Sequence, residues 1–94
     1  MAIKTFKDKA TAAAFVGLPV KSLPPDLRKR ARTKLEQVHL ARTLNDLRVP
    51  PANQLEALKR DRKGQHSIRI SQQWRVCFVW RDGDAFDVEI VDYH

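Results

Sequence analysis

The last third of the chain alternates apolar and polar side chains in three successive segments. One face carries His66, Ile68 and Ile70, then Trp74, Val76, Phe78 and Trp80, then Phe86, Val88 and Ile90. A period of two with one apolar face is typical of half-buried strands. Asp82-Gly83 predicts a tight hairpin between the last two segments, and Ser71-Gln72-Gln73 predicts the earlier turn. The region therefore predicts a three-strand antiparallel meander.

The first half of the chain predicts one short strand and two helices. Alternation over Ile3–Phe6 favours a strand, and an alanine-rich stretch from Lys7 to Val16 favours a helix that ends at Gly17. A second helix is expected to start between Ser22 and Pro25, because an apolar stripe at helical spacing follows: Leu27, Ala31, Leu35 and Val38. Residues 43–47 favour one more helical turn. The order β-α-α-β-β-β predicts a single α+β domain over residues 1–94, with two layers and the helices on the Trp74/Phe78/Phe86/Ile90 face.

The charge of the chain points to a polyanionic or acidic partner. The net charge is +7 over 94 residues, with a sequence pI of about 10.1. Residues 1–60 hold 13 Lys and Arg against 5 Asp and Glu, whereas residues 61–94 hold 5 against 6. The lone Cys77 excludes an intramolecular disulfide and is expected to be a buried small hydrophobe. No metal-ligand spacing, signal peptide or membrane span is recognisable, so we expect a cytoplasmic protein without a cofactor or metal.

Basic residues concentrate in three places. The second helix carries five cations in seven residues from Arg28 to Lys34, and Lys59–Lys63 forms a basic loop. Arg69, Arg75 and Arg81 all point away from the predicted core. A run of cations is often only a solvated face, but arginines beside a basic loop and a basic helix also suit a phosphate chain, because each guanidinium can hold two oxygens.

The last three residues of the sequence are a carboxylate, a phenol and an imidazole: Asp92, Tyr93 and His94. Cleavage of RNA by its own 2′-hydroxyl needs a base, an acid and positive charge on the phosphate. Imidazole suits proton transfer near neutral pH, and a tyrosine can stack on an unpaired base. From spacing alone, these residues could equally be solvated side chains at a frayed terminus.

The whole chain resembles HigB-type toxins of the RelE/ParE superfamily, most closely in its last 40 residues. The motifs that carry the resemblance are Leu58-Lys59-Arg60-Asp61-Arg62-Lys63-Gly64, Ser67-Ile68-Arg69-Ile70, Trp74-Arg75-Val76, Asp82-Gly83-Asp84-Ala85 and Asp92-Tyr93-His94. The opening Ile3-Lys4-Thr5-Phe6-Lys7 is similar too. These toxins belong to bacterial toxin–antitoxin systems.

The resemblance implies a RelE-like fold and a ribosome-dependent mRNA interferase, which cuts mRNA in the ribosomal A site. It also implies a HigA-like antitoxin with a helix-turn-helix fold, through which alone the toxin would meet operator DNA. The matching catalytic positions are Lys59, Arg75, Asp92, Tyr93 and His94. Lys59 and Arg75 would neutralise the phosphate, His94 would move a proton, Asp92 would orient its neighbours, and Tyr93 would position the nucleotide. The basic positions expected to contact RNA or the ribosome are Arg28, Lys29, Arg32, Arg62, Lys63 and Arg69.

The chain departs from the family pattern at three positions. Two other functions remain as alternatives. Glu56 stands where some HigB toxins have a catalytic histidine, Arg60 replaces a common glycine, and His66 replaces a common aromatic residue. A ParE-like inhibitor of DNA gyrase would share the fold, so the fold cannot exclude it. A non-catalytic RNA-binding domain would share the basic surface.

Overall fold

The computed structural model describes residues 2–93 and confirms an α+β fold of two layers. The helices are α1 (Lys9–Phe15) and α2 (Arg28–Leu40). The strands are β1 (Glu56–Ala57), β2 (Gln65–Arg69), β3 (Trp74–Arg81) and β4 (Asp84–Asp92). Short 3-10 turns cover Pro25–Leu27, Leu44–Arg48, Pro51–Asn53 and Arg60–Arg62. Within residues 2–93, no helix is long and apolar enough to cross a membrane.

The sheet is an antiparallel meander in the order β1-β2-β3-β4. The predicted hairpin is confirmed, since Asp82 and Gly83 both adopt the positive φ angles (52° and 81°) that a tight two-residue turn requires. Two details differ from the prediction. The opening segment forms only isolated parallel bridges, from Ile3 to Ala85 and from Phe6 to Val88. The two-residue strand β1, which the sequence did not reveal, pairs with Ser67 and His66.

The apolar stripe of α2 packs on one face of the sheet and makes the core. Ala31, Leu35 and Val38 are fully buried, together with Ile68, Val76, Phe78 and Val88 from the strands. Trp74 and Trp80 pack against this cluster, as the alternation predicts for core residues. The other face of the sheet is thereby left for the polar side chains of the same strands.

A β-bulge in β4 corrects one predicted core position. Cys77 pairs with Glu89 and Val79 pairs with Phe86, so two residues of β4 oppose Phe78 alone. Asp87 absorbs the extra residue with a left-handed φ of 52°. Because the bulge shifts the alternation, Ala85 enters the core and Phe86 turns to the opposite face, where the Arg81 guanidinium lies 4.6 Å from its ring centroid.

The segment between α2 and β1 is anchored by one buried amide. Asn53 is fully buried, and its Nδ2 donates to Gln37 Oε1 (3.0 Å) and to the carbonyls of Leu47 (3.2 Å) and Val49 (3.3 Å). Its Oδ1 accepts from Lys34 Nζ at 2.6 Å. A buried polar group of this kind stabilises only while all its partners are satisfied, so Asn53 fixes the position of the following residue, Gln54.

We expect Asn53→Ala to lower the free energy of unfolding by about 1–3 kcal/mol, because it leaves several buried polar groups without their hydrogen-bond partner. Urea unfolding followed by far-ultraviolet circular dichroism measures this change. Asn45→Ala is the matched control, since Asn45 is exposed and only accepts from Arg48 Nε. Equal stability of the two variants would contradict the anchoring role.

Candidate active site

The outer face of the sheet, away from the helices, lies next to a cleft. Ser67 and Cys77 are both fully buried although they point away from the core. They are cross-strand partners on β2 and β3. The Arg75 side chain bonds Ser67 and the Tyr93 side chain bonds Cys77, so both small side chains are in contact with larger ones on this face.

A cleft of about 430 Å³ lies beside Ser67 and Cys77. It is lined by Glu56, Ala57, Leu58, Lys59, Asp61, Arg62 and Tyr93. The structure therefore brings together Lys59 and Tyr93, which the resemblance places among the catalytic positions. Glu56, the position of a family histidine, lines the same cleft and is the cross-strand partner of Ser67.

The Arg75 guanidinium is held beside this cleft by two short hydrogen bonds. Its Nε donates to Ser67 Oγ at 2.7 Å and its Nη2 donates to the carbonyl of Gln54 at 2.7 Å. Both acceptors are uncharged, so the bonds fix the guanidinium without neutralising it. Among the described contacts, the third nitrogen remains available for a phosphate oxygen.

Arg62 behaves differently because it is part of an ion pair. Its Nη1 lies 2.9 Å from Glu89 Oε1 and 3.1 Å from Gln65 Oε1, and Lys7 Nζ lies 3.7 Å from the same Glu89 oxygen. The hydrogen bond to Glu89 raises the pKa of Arg62. Sequence reasoning did not single out Glu89, although its alternation on β4 placed it on this face. The Glu89 carboxylate offsets part of the positive charge of Arg62.

Tyr93, which lines the cleft, forms a neutral pair with the buried Cys77. Burial raises the pKa of both groups, and a hydrogen bond links the phenol to the thiol. The expectation that Cys77 is a buried residue is confirmed, and its raised pKa disfavours the nucleophilic thiolate. Tyr93 is 37% exposed, so its ring is accessible to a ligand while its hydroxyl remains protonated.

Asp92 lies outside the cleft lining. It pairs with Trp74 in the ladder, and its Oδ1 accepts from Gln73 Nε2 (2.9 Å) in the turn before β3. This contact suits the orienting role that the resemblance assigns to it. His94 lies outside the described residues, so its predicted role stays a prediction.

The basic loop adopts a tight conformation at Arg60. This residue has a φ of 59°, in the left-handed region that favours glycine. Glycine, which the resemblance implies as the common residue here, adopts this conformation without strain. Lys59 extends from the start of this turn, and Lys63 is exposed at its end.

The cations of α2 are divided between two sides of the helix. Arg28 donates to the carbonyl of Val20 (3.3 Å), and Arg32 donates to that of Phe15 (3.2 Å) and pairs with Glu36 (3.6 Å). Lys29, by contrast, lines a second cleft together with Arg69. The predicted RNA contacts on α2 therefore do not form one continuous surface.

His66 lies on the core side, as its alternation predicts. Its ring stacks on Phe78 with 6.5 Å between centroids, and burial lowers its pKa. Its Nδ1 is buried without a hydrogen-bond partner. Among residues 2–93, no group of three or more His, Cys, Asp or Glu side chains could hold a metal ion.

An α+β fold of this topology, with an arginine fixed beside a cleft of lysine, tyrosine and carboxylates, agrees with the RelE-like toxin that the resemblance implies. Residues 4–94 match the HigB-like toxin family, described as the RelE-like toxin of type II toxin–antitoxin system HigB, and the chain belongs to this family.

Named relatives cover most of the chain. "Toxin HigB-1" of Vibrio cholerae is 38% identical over 69% of this chain and 68% of its own length. "Endoribonuclease HigB" of Proteus vulgaris is 30% identical over 98% of this chain and 99% of its own length. An uncharacterized protein of Haemophilus influenzae is 34% identical over 67% of this chain and 62% of its own.

We expect His66→Phe to make the protein less sensitive to acid. The folded state holds the pKa of His66 below its unfolded value, so the unfolded state takes up the proton first and stability falls as pH drops below about 6.5. Phenylalanine keeps a ring against Phe78 but does not titrate. Urea unfolding at pH 7.5 and 5.5 should show a smaller loss for the variant; an equal loss would contradict the assignment.

Proposed function

We propose that this chain is an endoribonuclease toxin that cuts ribosome-bound mRNA in the bacterial cytoplasm and thereby stops translation. The supporting observation is the Arg75 guanidinium, fixed by two 2.7 Å bonds beside the cleft that holds Lys59 and Tyr93. Family membership supports the toxin role, and the name of the full-length Proteus relative supports RNA cleavage. Ribosome dependence follows from the resemblance to mRNA interferases.

The reaction is a transesterification within the RNA. A base removes the proton of the 2′-hydroxyl, the oxygen attacks the adjacent phosphorus, and the bond to the 5′-oxygen breaks. A proton passes to that leaving oxygen, which gives a 2′,3′-cyclic phosphate and a 5′-hydroxyl end. Positive charge that is already oriented stabilises the developing negative charge on the phosphate.

The candidate catalytic residues have the following roles in this scheme. Arg75 and Lys59 bind the nonbridging phosphate oxygens, and the protonated Tyr93 hydroxyl donates or its ring stacks on a base. Glu56 and His94 are the candidate proton-transfer groups, because carboxylate and imidazole both act as general bases. Asp92 holds the end of β4 against the β2–β3 turn.

The partner that inhibits the toxin would be a HigA-like antitoxin. Membership of a type II system implies a protein antitoxin. The helix-turn-helix fold of that antitoxin, and contact with operator DNA through it, come from the resemblance.

We expect Arg75→Ala to lower the rate of mRNA cleavage by about 10²–10³-fold, the usual loss when one oriented transition-state donor is removed. Arg81→Ala is the matched control, since Arg81 lies on the same strand and face but its guanidinium packs on the Phe86 ring instead of bonding Ser67 and Gln54. Primer extension on a reporter mRNA in a cell-free translation reaction measures both. Equal cleavage by the two variants would remove Arg75 from the mechanism.

His94→Gln and Glu56→Gln separate the two candidate bases. We expect His94→Gln to abolish toxicity on induction in cells while binding of the antitoxin is retained. If Glu56 also transfers a proton, Glu56→Gln lowers the cleavage rate. Glu36→Gln, an exposed carboxylate on α2, is the control. Full toxicity of His94→Gln would reject the imidazole as the proton carrier.

Primer extension in the cell-free translation reaction also distinguishes the proposed function from its alternatives. New 5′ ends inside the reading frame that vanish when translation is blocked before elongation support the ribosome-dependent nuclease. Cuts that persist without ribosomes would reject the ribosomal mechanism. Absence of cuts from a folded, toxic protein would favour the gyrase inhibitor, and absence from a folded, non-toxic RNA-binding protein would favour the non-catalytic domain.

A further inference from the structure

A second and larger cleft, of about 710 Å³, lies at the edge of the sheet. Strand β1 pairs only with Ser67 and His66, so the far end of β2 is flanked by the 51–54 turn and by α2 instead of another strand. This basic cleft is lined by Asp26, Lys29, Arg30, Thr33, Lys34, Ala52, Gln54, Arg69, Ile70, Ser71 and Gln72.

The basic cleft carries a strong excess of positive charge. Four cations (Lys29, Arg30, Lys34 and Arg69) line it against the single carboxylate of Asp26, and none of the four pairs with a carboxylate within residues 2–93. Burial lowers the pKa of Lys34, and repulsion by the neighbouring Arg30 lowers it further. An anion in the cleft would relieve this repulsion.

Two of these cations are held in place by uncharged acceptors. Lys34 Nζ donates to Asn53 Oδ1 at 2.6 Å, and Arg30 Nη1 donates to the carbonyl of Ile70 at 3.4 Å. Such bonds orient a cation but leave its charge available. The basic cleft thus differs from the candidate active site, where Asp61, Glu56 and Glu89 offset much of the local positive charge.

Arg75 is bonded to one residue of the basic cleft and is paired with another. Gln54 lines the basic cleft, and its carbonyl accepts one of the two bonds that hold Arg75. Arg69 also lines the basic cleft and is the direct cross-strand partner of Arg75. Neighbouring strands lie about 4.8 Å apart, so the backbone of Arg69 is next to that of Arg75.

We propose that the basic cleft is a subsite for the phosphodiester backbone of the substrate strand, occupied by nucleotides that flank the cleaved bond. The inference rests on the proposed function of the neighbouring cleft. A single RNA strand fits because it can turn at Arg75 and continue over Arg69 towards Lys29 and Lys34. A backbone subsite holds RNA without reading its sequence, and it places the scissile phosphate at Arg75.

Binding of uncleavable RNA tests the subsite directly. We would measure the affinity of 2′-O-methyl oligonucleotides by fluorescence anisotropy over a range of salt concentrations, lengthening the strand on either side of a cleavage site. The wild-type affinity should rise when the strand is extended on one side only. Lys29→Gln with Arg69→Gln should lose that gain and reduce the salt slope by about 1.4, since each phosphate contact on a single strand contributes about 0.7.

Lys9→Gln with Lys21→Gln is the control of equal charge. Both lysines are exposed and line neither cleft. If the two double variants bind alike, only net charge matters and the subsite is rejected. Lys29→Gln alone, at an exposed position, should still reduce the slope by about 0.7 if Arg69→Gln prevents folding.

Two further outcomes separate this inference from others. If the cleft variant binds oligonucleotides like wild type but no longer cosediments with vacant ribosomes, the cleft holds ribosomal RNA and the assignment to the substrate strand is wrong. Because the oligonucleotides cannot be cut, an extension-dependent gain in affinity would stand even if the wild type proved to have no nuclease activity. Conversely, cleavage without any gain would reject the subsite and leave the proposed function intact.

Discussion

The pair of hydrogen bonds from Arg75 joins the three parts of the molecule on which the site depends. Arg75 itself belongs to β3, Ser67 belongs to β2, and Gln54 ends the segment that Asn53 anchors to α2. The guanidinium is therefore oriented from two sides. Ser67 holds it to the sheet, and Gln54 connects it to α2 through the neighbouring Asn53. A cation fixed in this way pays little reorganisation when charge develops on a phosphate beside it.

The arrangement of charge separates two tasks within a small protein. The candidate active site mixes Lys59 and Arg62 with Glu56, Asp61 and Glu89, which suits proton transfer more than tight binding. The basic cleft holds four cations against Asp26 alone, which suits attraction of a polyanion. Because the basic cleft supplies the charge that attracts the polyanion, the candidate active site can retain carboxylates for proton transfer.

The sequence predicted those features that depend on local pattern. Alternation located β2, β3 and β4, Asp82-Gly83 located the hairpin, and the resemblance located Lys59 and Tyr93, which share a cleft. Features that depend on contacts between distant segments escaped prediction. The predicted position of Phe86 was wrong because the alternation of side chains does not reveal a bulge. The pairing of Arg62 with Glu89 depends on the register of the sheet. The division of the α2 cations depends on how α1 packs against α2.

The bulge at Asp87 also constrains how this chain can change in length. It supplies the one extra residue that puts Ala85 inside while Glu89 remains on the outer face, so β4 has one alternation before the bulge and another after it. Loss of a single residue there would restore a regular strand, and the hairpin side chains and the outer-face carboxylate could no longer both keep their places. Insertions and deletions in homologous genes should therefore be rare, or occur in compensating pairs, between the hairpin and Tyr93.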